Sequence, residues 1–274
     1  MPMDALPESL PSPDLAALAH ALGPLAPAFA IRWVETCDST NSALLEAPPE
    51  NDGKIHVLAA TRQTAGRGRR GRQWLAWPGA SLTFSALWRF APAASAPAGL
   101  SLAVGLSLAR ALEKLGVAAV ALKWPNDVLA HGAKLAGVLV ELLPGRHVAP
   151  AAVIGIGLNL RLPAEAVIPG QPGGVTDLAR EMAGPPVREL LLAAILAELH
   201  PTLATYERAG FGLLKNAWQQ RNAFANLPVR VSGEGADIAG ICLGADEDGA
   251  LLVRDATGVR RVLAGEVSLR PAAP

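Results

Sequence analysis

The stretch QTAGRGRRGRQWLAW, Gln63 to Trp77, limits the fold more than any other part of the chain. Three glycines, Gly66, Gly68 and Gly71, are interleaved with Arg67, Arg69, Arg70 and Arg72. The pattern G-x-G-x-x-G is that of a dinucleotide-binding turn. That turn must run straight into a helix, because the pyrophosphate sits on the helix N-terminus. Here Pro78 and Gly79 follow and forbid a helix. The next readable element is an alternating strand, Ser81–Trp88, and the element before the loop, His56–Ala60, reads as a buried strand. The loop therefore joins strand to strand, and the dinucleotide reading is set aside. A bare turn of this composition is costly: like charges repel, and glycine adds freedom to the unfolded chain. An anion would resolve the conflict, held by guanidinium forks and glycine-freed backbone N–H groups. The bland alternative is a solvated basic turn.

The basic charge is local. Lys plus Arg number 24 and Asp plus Glu 24, a formal net charge of zero. A nucleic-acid binder usually carries a basic excess, so the expected anion is small rather than polymeric. Hydrophobic residues make up 51% of the chain, enough for a sizeable core. Cys37 and Cys242 match no zinc or redox spacing. They suggest a reducing compartment without disulfides. The N-terminus has no basic n-region, and no apolar run reaches the roughly 18 residues needed to span a bilayer. The expectation is a cytoplasmic protein without a membrane partner.

Residues 1–30 read as a Pro- and Ala-rich extension with one short helix, Asp14–Leu22. A strand is expected at Ala30–Glu35, then a helix at Ser42–Glu46 capped by the Asp38-Ser39-Thr40-Asn41 cluster. Helical spacing marks Gly99–Leu115, and strands are expected at Val117–Lys123, Val128–Ala130, Leu135–Leu142 and Ala152–Leu160. Pro163–Gly174 is a long loop, and helices follow at Arg188–Glu207 and Gly212–Arg221. From Leu227 the pattern changes to short strands (Val229–Val231, Ala239–Leu243, Ala250–Arg254, Arg260–Leu263) separated by polar turns, as in a small β-barrel. The division is 1–30, 31–226 and 227–274.

A second constellation is Lys123-Trp124-Pro125-Asn126-Asp127, followed by Lys134-Leu135-Ala136-Gly137. Singly, Lys134 reads as a solvated lysine and Asp127 as a turn residue. Together with the arginine loop they give cations and a carboxylate at strand ends, where ligands bind in α/β sheets.

With Ser39-Thr40-Asn41, the Gln63–Arg72 loop, Lys123–Asp127, Lys134–Gly137, Gly155-Ile156-Gly157-Leu158-Asn159 and Gly265–Arg270 in this order, the sequence resembles the biotin–protein ligases over about residues 31–270. The resemblance implies an α+β fold: a mixed β-sheet with packed helices, like the class II tRNA synthetase core, plus a C-terminal SH3-like β-barrel. It implies an enzyme that adenylates biotin with ATP to biotinyl-5′-AMP and passes biotin to a lysine of a biotin carboxyl carrier protein. Mg²⁺ is expected on the ATP phosphates, and no dedicated metal cage is visible.

By the same resemblance, Ser39, Thr40, Asn41, Gln63, Arg67, Gly68, Arg69 and Lys134 should bind biotin, and the loop should fold over the ligand. Arg69, Arg70, Arg72, Asn126, Asn159 and Arg270 should serve the nucleotide. Lys134, Arg69 and Asp127 are the catalytic candidates, Asp127 either orienting or deprotonating the carrier lysine or merely capping its turn. Val175 stands where members often carry an adenine-packing Trp. The short extension leaves no room for a DNA-binding module, so the expectation is a monofunctional ligase that does not bind DNA. A monomer–dimer equilibrium follows from the family. The competing readings are a lipoate or other acyl-adenylating ligase of the same fold and a non-enzymatic nucleic-acid-binding module.

Overall fold

In the computed structural model the described residues are 11–77, 79–91, 98–143, 150–164, 166, 168, 171, 173–233, 237–263 and 267–271. Gly265 and Glu266 of the last motif lie outside them, as do parts of the N-terminal extension and of the 163–174 loop. In chain order the elements are α1 Leu15–Leu22, β1 Phe29–Cys37, α2 Thr40–Glu46, β2 Ile55–Gln63, β3 Ser81–Arg89, α3 Leu100–Lys114, β4 Val120–Lys123, β5 Asp127–Ala130, β6 Ala133–Leu142 and β7 Ala151–Asn159. There follow α4 Leu178–Glu181, α5 Arg188–Ala209, α6 Gly212–Gln219, β8 Pro228–Gly233, β9 Ile238–Ala245, β10 Leu251–Asp255, β11 Gly258–Val262 and β12 Val267–Pro271. The expected elements are present, with ends shifted by a few residues; α4 and β12 are additions. No helix among the described residues is long and apolar enough to cross a membrane.

The large sheet has the order β1-β2-β3-β7-β6-β5-β4. It is mixed: β1 and β2 run parallel, while β2–β3, β3–β7, β4–β5 and β5–β6 are antiparallel. Packing divides the chain into two compact units. The first holds α1, β1, α2, β2, β3, β7, α4 and the start of α5 to Ala197; the second holds α3, β4, β5, α6, β8–β12 and α5 from Glu198; β6 passes from the second to the first at Gly137–Val138.

In the first unit, every residue of β7 is buried, which explains its nearly uninterrupted apolar sequence AAVIGIGLN. One core cluster is Leu44, Leu58, Leu87, Ala151 and Val153. Leu44 joins α2 to the sheet; burying a leucine of this kind contributes about 1.5–3 kcal/mol. α2 starts where it does because Ser39, in extended conformation, accepts from the Ser42 N–H at 3.4 Å.

In the second unit, α3 is buried along most of its length. The small antiparallel sheet has the order β11-β10-β9-β8-β12, consistent with an SH3-like fold. Its β9–β10 turn is held by Asp246. Partial burial works against that carboxylate, but the Arg261 guanidinium and the Ala250 and Asp248 amides hold it below its usual range. The Lys123–Asp127 segment is anchored by Trp124, which is 1% exposed and donates its indole N–H to the Gly249 carbonyl at 3.0 Å. The Trp124–Pro125 peptide is cis, and the Pro125 carbonyl accepts from Ser101 Oγ at 3.0 Å. Trp124→Phe strands the Gly249 carbonyl, an expected cost of about 1–3 kcal/mol, and leaves part of the buried indole volume unfilled, which adds to that cost. Thermal unfolding should show a midpoint several degrees lower.

Candidate active site

Parallel pairing of β1 with β2 ends at Cys37↔Gln63. Two segments distant in sequence, Asp38–Asn41 and Thr64–Trp74, therefore leave the sheet side by side. Their backbones stay joined beyond the strands: Thr64 N–H donates to the Cys37 carbonyl at 3.0 Å and Ala65 N–H to the Asp38 carbonyl at 2.9 Å. Thr64 Oγ1 donates to Asp38 Oδ1 at 2.7 Å. Burial and then the Asp38 charge push the Cys37 thiol up, with Arg32 opposing them.

Ser39, Thr40 and Asn41 are each 3% exposed. Gln63 Oε1 accepts from Thr40 N–H at 2.7 Å and lies 3.2 Å from Thr40 Oγ1. Thr40 Oγ1 lies 2.7 Å from Ser85 Oγ, and Ser85 Oγ donates to Asn41 Oδ1 at 2.5 Å. Asn41 Nδ2 donates to Glu141 Oε2 at 2.9 Å. This is a buried polar network on an otherwise apolar sheet. It needs room above β7: a Cβ on Gly155 would stand 3.0 Å from Asn41 Cγ and closer still to Oδ1. A Cβ on Gly157 would stand 2.5 Å from Trp74 Cζ2.

The glycine–arginine loop is a closed hairpin rather than a bare charged turn. Gly68 N–H donates to the Arg72 carbonyl at 2.8 Å, Trp74 N–H to the Gly66 carbonyl at 2.9 Å, and Arg67 bridges Gln73. Arg69, Arg70 and Gly71 form one short helical turn, with Arg70 left-handed at φ 61°. The Arg67 guanidinium is engaged at home: Nη2 meets Glu141 Oε1 at 2.6 Å and Nη1 donates to Ser42 Oγ at 3.2 Å.

In the second unit, Lys134 Nζ lies 2.6 Å from Asp127 Oδ1, their side chains 16% and 13% exposed. A β-bulge creates this pair. The β5–β6 register runs Asp127↔Gly137 and Val128↔Ala136, then slips to Leu129↔Lys134. Without the slip, Lys134 would stand opposite Ala130 and point to the other face; the extra residue, Leu135, turns it onto the face of Asp127. The Lys134 N–H donates to the Gly174 carbonyl at 3.1 Å, and Lys134 bridges Val175. Asn126 lies in the turn before β5.

Two nucleotide candidates differ in setting. Asn159 closes β7, 2% exposed, and donates to the Thr176 carbonyl at 3.0 Å. Arg270 is exposed on β12, opposite Arg230. Glu141, Ser85 and Trp74 were not singled out from the sequence. The only signal for Ser85 is a serine amid the apolar residues of a buried strand.

Residues 33–159 match the Biotin/lipoate A/B protein ligase family, and residues 226–270 match the Biotin protein ligase C terminal domain. The biotin--[acetyl-CoA-carboxylase] ligase of Paracoccus denitrificans is 38% identical over 236 residues, 84% of this chain and 96% of that protein. The chain belongs to the biotin protein ligase family. The Bifunctional ligase/repressor BirA of Escherichia coli is 38% identical over 237 residues, 86% of this chain and 72% of the relative. A biotin protein ligase from Aquifex aeolicus, solved in complex with biotin and ATP, superposes with a TM-score of 0.75 at 30% identity, covering 88% of this chain and 99% of that one. The α+β ligase fold expected from the sequence is thereby established.

Proposed function

We propose that this chain adenylates biotin and transfers it to a lysine of a biotin carboxyl carrier protein. In the first half, a biotin carboxylate oxygen attacks the α-phosphorus of ATP, the bond to the bridging oxygen breaks, and pyrophosphate leaves. In the second, the carrier ε-amine attacks the acyl carbon of biotinyl-5′-AMP, AMP leaves, and the nitrogen gives up a proton. The observation that carries this reading is the buried Thr40–Gln63–Ser85–Asn41 network beside the arginine hairpin, in a chain of this family. A polar floor of that kind suits a small, uncharged hydrogen-bonding ring; the cations suit its carboxylate and the nucleotide phosphates.

Lys134 is assigned to the biotin carboxylate and the α-phosphate oxygen. Asp127 holds it in place until an anion arrives. Once Lys134 turns to the anion, the Asp127 carboxylate is released to orient the carrier amine or take its proton. Ser39, Thr40, Asn41, Gln63, Arg67 and Gly68 are assigned to biotin; Arg69 to biotin and nucleotide; Arg70, Arg72, Asn126, Asn159 and Arg270 to the nucleotide. Among the described residues no three His, Cys, Asp or Glu side chains group as metal ligands. Mg²⁺ is assigned to the ATP phosphates as part of the substrate, where it would offset their charge as the carboxylate approaches.

The test is a carrier-domain assay. With biotin and Mg-ATP the carrier should gain one biotin by mass; a gain only with lipoate would favour the lipoate-ligase reading. Nucleic-acid affinity that falls steeply with salt and ignores ATP would favour a binding module. The role of Asp127 separates the two halves. Asp127→Asn should keep pyrophosphate release within about tenfold while carrier biotinylation falls about 100-fold, the lower range for a lost general base.

A further inference from the structure

Glu141 stands near the end of β6, its side chain 23% exposed, and no motif points to it. Its two oxygens are divided: Oε1 accepts from Arg67 Nη2 at 2.6 Å and Oε2 from Asn41 Nδ2 at 2.9 Å. The consequence is directional. A carboxylate only accepts, so the Asn41 amide turns its NH₂ to Glu141, with the Leu139 carbonyl a longer second acceptor at 3.4 Å, and its Oδ1 to Ser85. Ser85 Oγ, fully buried, then commits its one proton to Asn41 Oδ1 at 2.5 Å. It must accept from Thr40 Oγ1 at 2.7 Å. That uses the one Thr40 proton, so the longer approach to Gln63 Oε1 at 3.2 Å is left without it; Gln63 Oε1 is satisfied by the Thr40 N–H at 2.7 Å. Every proton in the chain Thr40–Ser85–Asn41 thus points toward Glu141.

We infer that Glu141 is a positioning and specificity-determining residue. It sets the polarity of this hydrogen-bond chain, so that the Thr40 hydroxyl meets the substrate ring with lone pairs only. With the same carboxylate it ties Arg67 to the network. The ligand selected is one whose ring offers an N–H at that point, as a cyclic urea does and a dithiolane does not. This rests on the proposed biotin ligase function.

The chain can be broken at two places. In Glu141→Gln the amide presents both a donor and an acceptor, so only the long contact to the Leu139 carbonyl still opposes a flip of Asn41 and the polarity is weakened. In Ser85→Ala the link itself is gone. Each variant should raise KM for biotin at least about tenfold, the value of one well-placed hydrogen bond. KM for ATP should stay within about twofold, a split that general loosening of the fold would not produce. Biotin methylated on a ureido nitrogen should be rejected strongly by wild type and less strongly by both variants. The double variant should be scarcely worse than the poorer single one, because both act through one chain. If Glu141→Gln does not fold, Ser85→Ala carries the same measurements. Unchanged biotin KM and unchanged discrimination in a variant that folds, beside an active wild type, overturn the inference. A wild type that turns over no biotin overturns the ligase reading instead, and this inference with it.

Discussion

Lys134→Ala should lower biotin-dependent pyrophosphate release by about 10²–10³-fold, the usual loss when one preorganised group opposite developing charge is removed. The size of the effect follows from the setting. The ammonium is 16% exposed and held 2.6 Å from Asp127, so its charge is aimed and only partly screened by water. Lys134→Arg should not restore the rate, because a planar fork does not place its charge where a compact ammonium does. Removing the cation also leaves the largely sheltered Asp127 carboxylate without its ammonium partner, which lowers stability. Lys134→Gln, which can still donate to Asp127, separates the two effects: it should recover much of the melting temperature and little of the rate. Activity within threefold of wild type in a folded Lys134→Ala would remove Lys134 from the chemistry.

Gly155→Ala should reduce biotin affinity about 10–100-fold and lower the melting temperature by several degrees. One methyl group is enough because neither side can yield. β7 is buried at every residue and paired with β3 from Ser81↔Asn159 to Arg89↔Ala151, so its backbone cannot retreat. The Asn41 side chain above it is fixed by Ser85 and Glu141. Overpacking of this kind costs about 1–3 kcal/mol and would expel Asn41 from the network. The measurement is equilibrium biotin binding by calorimetry beside thermal unfolding. Wild-type affinity in this variant would show that Asn41 has no part in the site.

Much of this architecture is legible in the sequence because it depends on local signals. The Pro78-Gly79 pair ruled out a helix after the arginine loop, and a strand follows there. Ser39 caps α2 as the Asp-Ser-Thr-Asn cluster implied, and the His131-Gly132 turn joins β5 to β6. What stayed hidden depends on register. Lys134 reaches Asp127 through a bulge that leaves no mark in Ala133-Lys134-Leu135-Ala136-Gly137. Glu141 at the end of an apolar strand resembles a solvated terminus, and its partners Asn41 and Arg67 are 100 and 74 residues away in sequence. β12 is short and ends in Pro271; its pairing with β8, not its own propensity, makes it a strand. The arginine loop reads as anion-seeking in composition, yet Arg67 already has a carboxylate partner within the fold.

The most direct test of the central claim is release of pyrophosphate from Mg-ATP by the purified chain, with biotin or lipoate supplied and no carrier protein present. Release with biotin and not with lipoate, lost in Lys134→Ala, is the expected result. No release with either acid, from a folded protein that binds biotin or ATP, would contradict it.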